Sequence, residues 1–187
     1  MQRADFRVVL DACALANASV CNVLLSLAET PRLYLPKWSQ AILAEVHRTH
    51  INKLGWDSRL ADSFQEKINQ FFPEALVEQY EHLVDHCSND PKDRHVLACA
   101  IHCRAELILT FNIRDFPEAC LEPWQIQVLH PQDYLMTLYS IDPVTMIHRL
   151  GEIARKRNMD LETYLLKLGK WLPLFTGKIL SHLQLGG

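Results

Sequence analysis

The amino-acid sequence predicts an α/β protein with a mostly parallel sheet between two layers of helices, a Rossmann-like three-layer α/β/α architecture. Short apolar runs typical of buried strands alternate with helical patterns over most of the chain, which favours parallel strands joined by helices. Prolines stand at most of the junctions between these runs. After about Asp142 the pattern is helical only, so an all-helical C-terminal extension is expected.

Strands and helices are predicted in alternation before that point. The first strand is an apolar run that ends on an acid, Asp11, and the strand at 75–80 has the weakest pattern. The predicted strands lie at 6–11, 33–35, 75–80, 106–111 and 125–129. The helical patterns lie at 14–29, 38–54, 57–71, 81–87, 92–104 and 131–139.

The C-terminal extension contains two apolar stripes. One helix is predicted to begin at Asp142-Pro143, with proline at a favourable first position. Another begins at Met159-Asp160 and runs to about Leu172, where Pro173 interrupts it before a last piece that reaches Leu183. The stripes consist of Met146, Leu150, Ile153 and Ala154, and of Tyr164, Leu165, Leu168, Trp171 and Leu172. They must pack on the sheet domain, on each other or on a second chain, and we predict a boundary between domains 1–141 and 142–187.

The composition is that of an ordinary globular protein. Of the 187 residues, 49% are hydrophobic and 22% are charged, and no apolar stretch approaches the roughly 18 residues of a membrane span. The sequence shows no signal peptide and its six cysteines lack a C-x-x-C pair, so we expect reduced thiols, a cytoplasmic location and no membrane partner. The net charge is −3, yet residues 141–187 carry seven basic and four acidic side chains. That split fits phosphate or acidic-partner contacts, and equally two solvated faces that differ by chance.

Four acidic residues fall where the elements of such a fold converge. Asp11 ends the first strand, Asp115 follows the strand at 106–111, Asp93 begins the helix at 92–104, and Glu45 borders the apolar face of its helix. Acids that follow strands in an open α/β sheet lie at its binding crevice. Several carboxylates in one crevice point to a hard cation such as Mg²⁺ or Mn²⁺. Taken singly, these residues also fit a stabilised helix N-terminus, a turn and a solvated helix position; as a set they favour a metal site.

The segments around these acids resemble the PIN-domain family, in particular VapC-type toxin ribonucleases with a helical C-terminal extension. The resemblance covers nearly the whole chain and rests on residues 8–13, 90–98 and 110–117, of which the last two together are quite specific. It implies a PIN-like fold and a metal-dependent endoribonuclease that hydrolyses RNA phosphodiester bonds as the toxin of a type II toxin–antitoxin system. It further implies Mg²⁺ or Mn²⁺ as the cofactor, and an RNA substrate, a cognate antitoxin and a second copy in a homodimer as partners.

The same resemblance assigns roles to individual residues. The catalytic acids are Asp11, Glu45, Asp93 and Asp115, of which Asp11, Asp93 and Asp115 are the expected metal ligands. Thr110 and Asn112 match positions that support the site. Arg94 and Arg114 flank two of the acids, where they either contact RNA phosphates or form ion pairs with neighbouring acids.

Other patterns favour different chemistry less strongly. His95, Cys99 and Cys103 are spaced four residues apart, as zinc ligands on one helix face can be, but a further ligand is missing and packing of small thiols accounts for them. No glycine-rich nucleotide loop and no G-x-S-x-G motif occurs. Two alternatives to a toxin stay open: an RNA-processing PIN nuclease without an antitoxin, and a binding or scaffold module that does not cleave.

Overall fold

The computed structural model describes residues 5–185, and within them five strands form one parallel sheet. The strands are β1 (Arg7–Leu10), β2 (Leu35–Ser39), β3 (Leu76–Val77), β4 (Leu107–Leu109) and β5 (Gln127–Leu129). They lie in the order β3-β2-β1-β4-β5, and every neighbouring pair is parallel. The predicted fold class is therefore confirmed. Because the chain extends the sheet first on one side of β1 and then on the other, the strand order reverses between β1 and β4.

Helices pack around this sheet. The α-helices are α1 (Ala12–Ala16), α2 (Ala18–Ala28), α3 (Gln40–Asn52), α4 (Ser58–Phe71), α5 (Arg94–His102), α6 (Glu118–Leu121), α7 (Pro131–Ile141), α8 (Pro143–Lys156), α9 (Leu161–Leu168) and α10 (Pro173–Leu185). Short 3₁₀ helices lie at Glu81–His86, Ile113–Asp115 and Glu122–Trp124. The central strands β1 and β4 are covered on both faces, since Val8, Val9, Ile108 and Leu109 are fully buried.

Strand β2 lies later in the chain than predicted because Pro36 is inside the strand and not at its end. The Leu35 N–H donates toward β1 at 2.8 Å and the Trp38 N–H donates toward β3 at 3.0 Å, so the backbone alternates between its two neighbours. The nitrogen of Pro36 therefore faces the β3 side, where β3 pairs with β2 only at Trp38 and Ser39. A residue without an N–H is tolerated there because it removes no bond from the ladder.

The single helix predicted at 14–29 is two helices, because Asn17 ends α1 and caps α2. Its side-chain oxygen accepts hydrogen bonds from the backbone N–H groups of Ser19 and Val20, each at 3.2 Å. An asparagine cap of this kind stabilises a helix start by about 1 kcal/mol. The break places the first residues of α2 at the same edge of the sheet at which β1 ends.

The C-terminal helices share the core of the sheet domain. Helix α8 packs against α2 and α7, and α10 packs against α7 and α9. Asp142 caps α8 through the Thr145 N–H at 2.9 Å, and Pro143 is its first residue, as predicted. The junction at 141/142 thus falls between two helices that pack against each other. No helix within residues 5–185 is both long and apolar enough to cross a membrane.

The second apolar stripe departs from the prediction at one residue. Helix α9 ends at Leu168 and not at about Leu172, so the following residues form a turn before α10. Tyr164, Leu165, Leu168 and Leu172 are buried as expected, whereas 53% of the Trp171 surface is exposed.

Candidate active site

Asp11 lies at the carboxyl end of β1, beside the point where the strand order reverses. Its backbone N–H donates to the Leu109 carbonyl at 3.0 Å, which extends the pairing of β1 with β4 by one residue. Its side chain then caps α1, with Oδ1 accepting from the Ala12 N–H at 2.6 Å. In open parallel sheets, ligands bind in the crevice at such a reversal. The strand end and the helix cap therefore fix a buried carboxylate at the position where chemistry is expected.

The other oxygen of Asp11 is held by two side chains. Oδ2 accepts a hydrogen bond from the Thr110 hydroxyl at 2.7 Å and another from the Cys13 thiol at 3.1 Å. A carboxylate offers about four acceptor positions, and three of them are used by Ala12, Thr110 and Cys13. The remaining position, on Oδ1, is available to a ligand.

Cys13 is a site residue that the sequence patterns did not indicate. Burial, followed by the negative charge of Asp11, raises the pKa of its thiol to about 12, so the thiol keeps its proton and serves as a donor. Its sulfur also accepts the Phe111 N–H at 3.2 Å. Sequence patterns could not indicate this role, because Cys13 is a single cysteine and its contact with Phe111 joins segments that are distant in sequence.

Asp93 stands just before α5, half-buried, in the position of an N-cap, yet its side chain makes no capping hydrogen bond. Asp93 is therefore not a hydrogen-bonded cap, although its carboxylate still stands at the N-terminus of α5, where a negative charge is favourable. The pKa of this carboxyl is raised to about 6, mainly by burial and then, in decreasing order, by the negative charges of Asp11, Asp115, Glu45 and Asp90. All four predicted acids are thus close enough to interact electrostatically.

Glu45 projects from α3 and is half-buried. One of its carboxylate oxygens lies 3.6 Å from Nε2 of His95 and 3.7 Å from a guanidinium nitrogen of Arg48. Both separations exceed hydrogen-bond length, so neither neighbour occupies the carboxylate fully. Glu45 remains available for another ligand.

Asp115 and Asn112 belong to the turn that follows β4. Asp115 ends the 3₁₀ helix Ile113–Asp115; its N–H donates to the Asn112 carbonyl at 3.0 Å, and its carbonyl accepts from the Asp90 N–H at 3.2 Å. The Asn112 N–H donates to the Thr110 hydroxyl oxygen at 3.0 Å. These backbone bonds tie the loop before α5 to the turn after β4. They thereby bring Asp93 and Asp115, which are distant in sequence, close together.

A cavity of about 530 Å³ opens onto three of the four acids. Its wall includes Asp11, Glu45, Asp93 and Asn112. Asp115 does not line the cavity, but its negative charge contributes to the raised pKa of Asp93. Within residues 5–185, no three His, Cys, Asp or Glu side chains lie close enough together to enclose one metal ion as they stand. The acids therefore meet around one cavity without forming a closed set of ligands.

The two predicted RNA-contacting arginines lie beside this cavity and do not line it. Nε of the half-buried Arg94 donates to the Asn89 carbonyl at 3.3 Å, and Arg114 is exposed on the 3₁₀ turn. Neither forms an ion pair with an acid in the part of the chain that the structure describes.

The residues of the rival zinc pattern on α5 have different surroundings. Cys99 is fully buried in the hydrophobic core, while His95 faces Glu45. His95 and Cys99 therefore lie in different surroundings, although they are spaced four residues apart on α5.

Comparisons with known proteins match a large part of the chain. A family model described as PIN domain matches residues 5–114, which is more than half of the chain. The chain is also 49% identical over 107 residues to a Mycobacterium tuberculosis protein named "Putative ribonuclease VapC50". That match covers 56% of this chain and 63% of the relative, so the chain spans just under two thirds of that relative's length.

Proposed function

The chain belongs to the PIN-domain family, and we propose that it is a divalent-metal-dependent endoribonuclease that acts as the toxin of a toxin–antitoxin pair. The observation that carries the proposal is the convergence of Asp11, Glu45 and Asp93 on one cavity at the reversal of the strand order. The printed name of the mycobacterial relative supports the ribonuclease assignment, and its designation VapC agrees with the resemblance of this sequence to VapC-type toxins.

The donor set fits a cation of the Mg²⁺ or Mn²⁺ type. Every candidate ligand is a carboxylate, and hard cations of this class prefer oxygen ligands and water. The raised pKa of Asp93 reports burial and repulsion among the acids, which a divalent cation would relieve. Side-chain rotation has to close the set, since no three ligands are yet within reach of one ion.

Asp11 and Asp93 would hold the cation, with Asp115 in support and Glu45 orienting water. When bound, such a cation polarises a phosphoryl oxygen and makes water a better nucleophile. Thr110 and Cys13 keep Asp11 in one orientation by donating to Oδ2, so its free acceptor position on Oδ1 stays directed away from them. Asn112 fixes Thr110 in turn through its backbone N–H. Asp11 is therefore preorganised, which avoids a reorganisation cost for this one ligand, whereas the other acids have to rotate to complete the set.

The proposed partners besides RNA are a cognate antitoxin and a second copy of the chain. A cognate antitoxin would inhibit by covering the acidic wall, and a homodimer is the proposed assembly. An RNA-processing role without an antitoxin uses the same chemistry, and only the presence of an inhibiting partner separates the two.

The test compares cleavage of RNA by the wild-type protein, Asp93→Asn and Asp90→Asn, in Mn²⁺ and in EDTA. Asp90 is the matched control because it is an exposed acid beside Asp93 that does not line the cavity. We expect cleavage to require the metal, to fall by at least about 100-fold in Asp93→Asn and to persist in Asp90→Asn. Equal cleavage by wild type and Asp93→Asn would contradict the assignment, and a wild type that cleaves no RNA would favour a scaffold.

A further inference from the structure

Trp171 is a large exposed aromatic side chain on the wall of the acidic cavity. It lines the same space as Asp11 and Asp93, yet it comes from the turn between α9 and α10. The helical pattern placed it in a buried stripe, whereas 53% of its surface is exposed. An exposed apolar surface at the mouth of a cavity is characteristic of a contact site for a ligand.

The turn that carries Trp171 is firmly held. The flanking Leu168 and Leu172 are buried, and the Trp171 N–H donates to the Leu168 carbonyl at 3.0 Å. The Leu174 N–H donates to Oε1 of Gln132 at 2.8 Å, which ties the start of α10 to α7. Because the backbone is fixed on both sides, ordering the indole against a ligand costs little conformational entropy.

The residues near Trp171 on the cavity wall have the chemistry of a nucleotide site. Lys53 and Leu54 lie at the end of α3 and Phe111 follows β4, and all of them line the same cavity. Aromatic surfaces combined with a cation are the means by which proteins hold unpaired nucleotides. A cavity of about 530 Å³ has the size of a small-ligand site, which suits an unpaired nucleotide and not a duplex.

We propose that Trp171 stacks on an unpaired base of the RNA substrate while Lys53 contacts its backbone. This inference rests on the proposed ribonuclease function and deepens it, because it makes the C-terminal helices part of the substrate site. Lys53 lines the same cavity as Trp171, and its positive charge offers a contact for a backbone phosphate of an RNA bound there.

The experiment measures binding of a fluorescein-labelled single-stranded oligoribonucleotide in EDTA, where no metal-dependent cleavage occurs. The variants are Trp171→Ala and Trp171→Phe, with Trp124→Ala as the matched control because Trp124 is 38% exposed and lines a separate cavity. We expect binding about tenfold weaker for Trp171→Ala, less than about threefold weaker for Trp171→Phe, and unchanged for Trp124→Ala. In Mn²⁺, KM for the same oligonucleotide should rise in parallel for Trp171→Ala while kcat stays within about twofold.

Equal binding by wild type and Trp171→Ala would overturn the inference, as would an unchanged KM. If Trp171→Ala retained RNA binding but lost inhibition by an antitoxin, the occupant of the Trp171 surface would be a protein and not RNA.

The stacking role of Trp171 and the ribonuclease function can fail separately. Metal-dependent cleavage with no effect of Trp171→Ala removes only the stacking role. A wild type without cleavage removes the ribonuclease, and the binding titration then still decides whether Trp171 holds RNA. Thermal melting of each variant verifies folding, and Trp171→Phe provides the comparison if the alanine variant melts early.

Discussion

The hydroxyl of Thr110 donates a 2.7 Å hydrogen bond to Oδ2 of Asp11, which joins two buried residues 99 positions apart in the chain. The bond links the ends of β1 and β4, the two strands between which the strand order reverses. It therefore holds the most buried acid of the candidate site by means of the sheet itself.

Replacing Thr110 by valine should weaken both the fold and the site. Valine has nearly the same shape but no hydroxyl, so Asp11 loses a buried donor. Hydrogen bonds to charged groups contribute about 1.5–3 kcal/mol, and we expect the free energy of unfolding to fall by about that amount in urea titrations. Thr110→Ser retains the hydroxyl and should lose less. Equal stability of Thr110→Val and wild type would show that the bond does not support Asp11.

Asp93 should destabilise the metal-free protein at neutral pH. Its pKa is raised from 3.8 to about 6 in the folded state by burial and by Asp11, Asp115 and Glu45. The unfolded chain therefore releases this proton at lower pH than the folded protein does. Below about pH 4 Asp93 is protonated in both the folded and the unfolded state, and it does not destabilise the fold. The free energy of unfolding then decreases as the pH rises from about 4 through about 6.

Asp93→Asn should accordingly melt at a higher temperature than wild type at pH 8 in EDTA. Because Asp93 is partly exposed, we expect the free energy of unfolding of Asp93→Asn to exceed that of wild type by about 1 kcal/mol. This corresponds to a rise of about 2–4 °C in Tm. The difference should vanish near pH 4. Asp85→Asn, which changes an exposed acid on the 3₁₀ helix Glu81–His86, is the control and should match wild type. A lower Tm for Asp93→Asn at pH 8 would contradict the repulsion among the acids.

Cys13 should resist alkylation. Burial and the charge of Asp11 raise the pKa of its thiol to about 12, whereas the thiol of Cys99 and the charge of Lys37 lower the pKa of Cys103. Since the thiolate is the reactive form, iodoacetamide at pH 8 should label Cys103 at least about ten times faster than Cys13. Peptide mapping by mass spectrometry measures both rates. Faster labelling of Cys13 would mean that its thiol does not donate to Asp11.

The C-terminal helices should unfold together with the sheet domain. Leu150 is fully buried on α8, whereas Val144 on the same helix is 78% exposed. Leu150→Ala should reduce the free energy of unfolding by about 2–5 kcal/mol, and the matched Val144→Ala by less than about 0.5 kcal/mol. Far-UV circular dichroism and the fluorescence of the tryptophans, including the buried Trp38, should report one shared urea transition. Two separate transitions, with only one shifted in Leu150→Ala, would establish two independent domains.

Local sequence patterns predicted the elements that depend on local physics. The apolar runs of β1 and β4 are continuous because both strands are buried on both faces, and the acids that follow them could be located from the sequence. The start of α8 at Asp142-Pro143 was likewise predicted, because proline at the first position of a helix is a local signature.

The rest depended on contacts between distant residues. Pro36 is tolerated in β2 only because β3 is short, and a strand's neighbour cannot be read from its own residues. The Cys13 thiol bonds to Asp11 two residues earlier and to the backbone of Phe111 after β4, and the second contact could not be predicted from local sequence. The spacing of Trp171 fits the helical stripe of α9, but the helix ends at Leu168, so Trp171 lies in the following turn.

The central claim is that Asp11 and Asp93 hold a divalent cation, and anomalous diffraction from crystals soaked in Mn²⁺ tests it most directly. Both carboxylates should move to within about 2.0–2.4 Å of one anomalous peak in the cavity, and the peak should be absent from Asp93→Asn crystals. A wild-type crystal with no peak between Asp11 and Asp93, or an Asp93→Asn crystal with the same peak, would contradict the account.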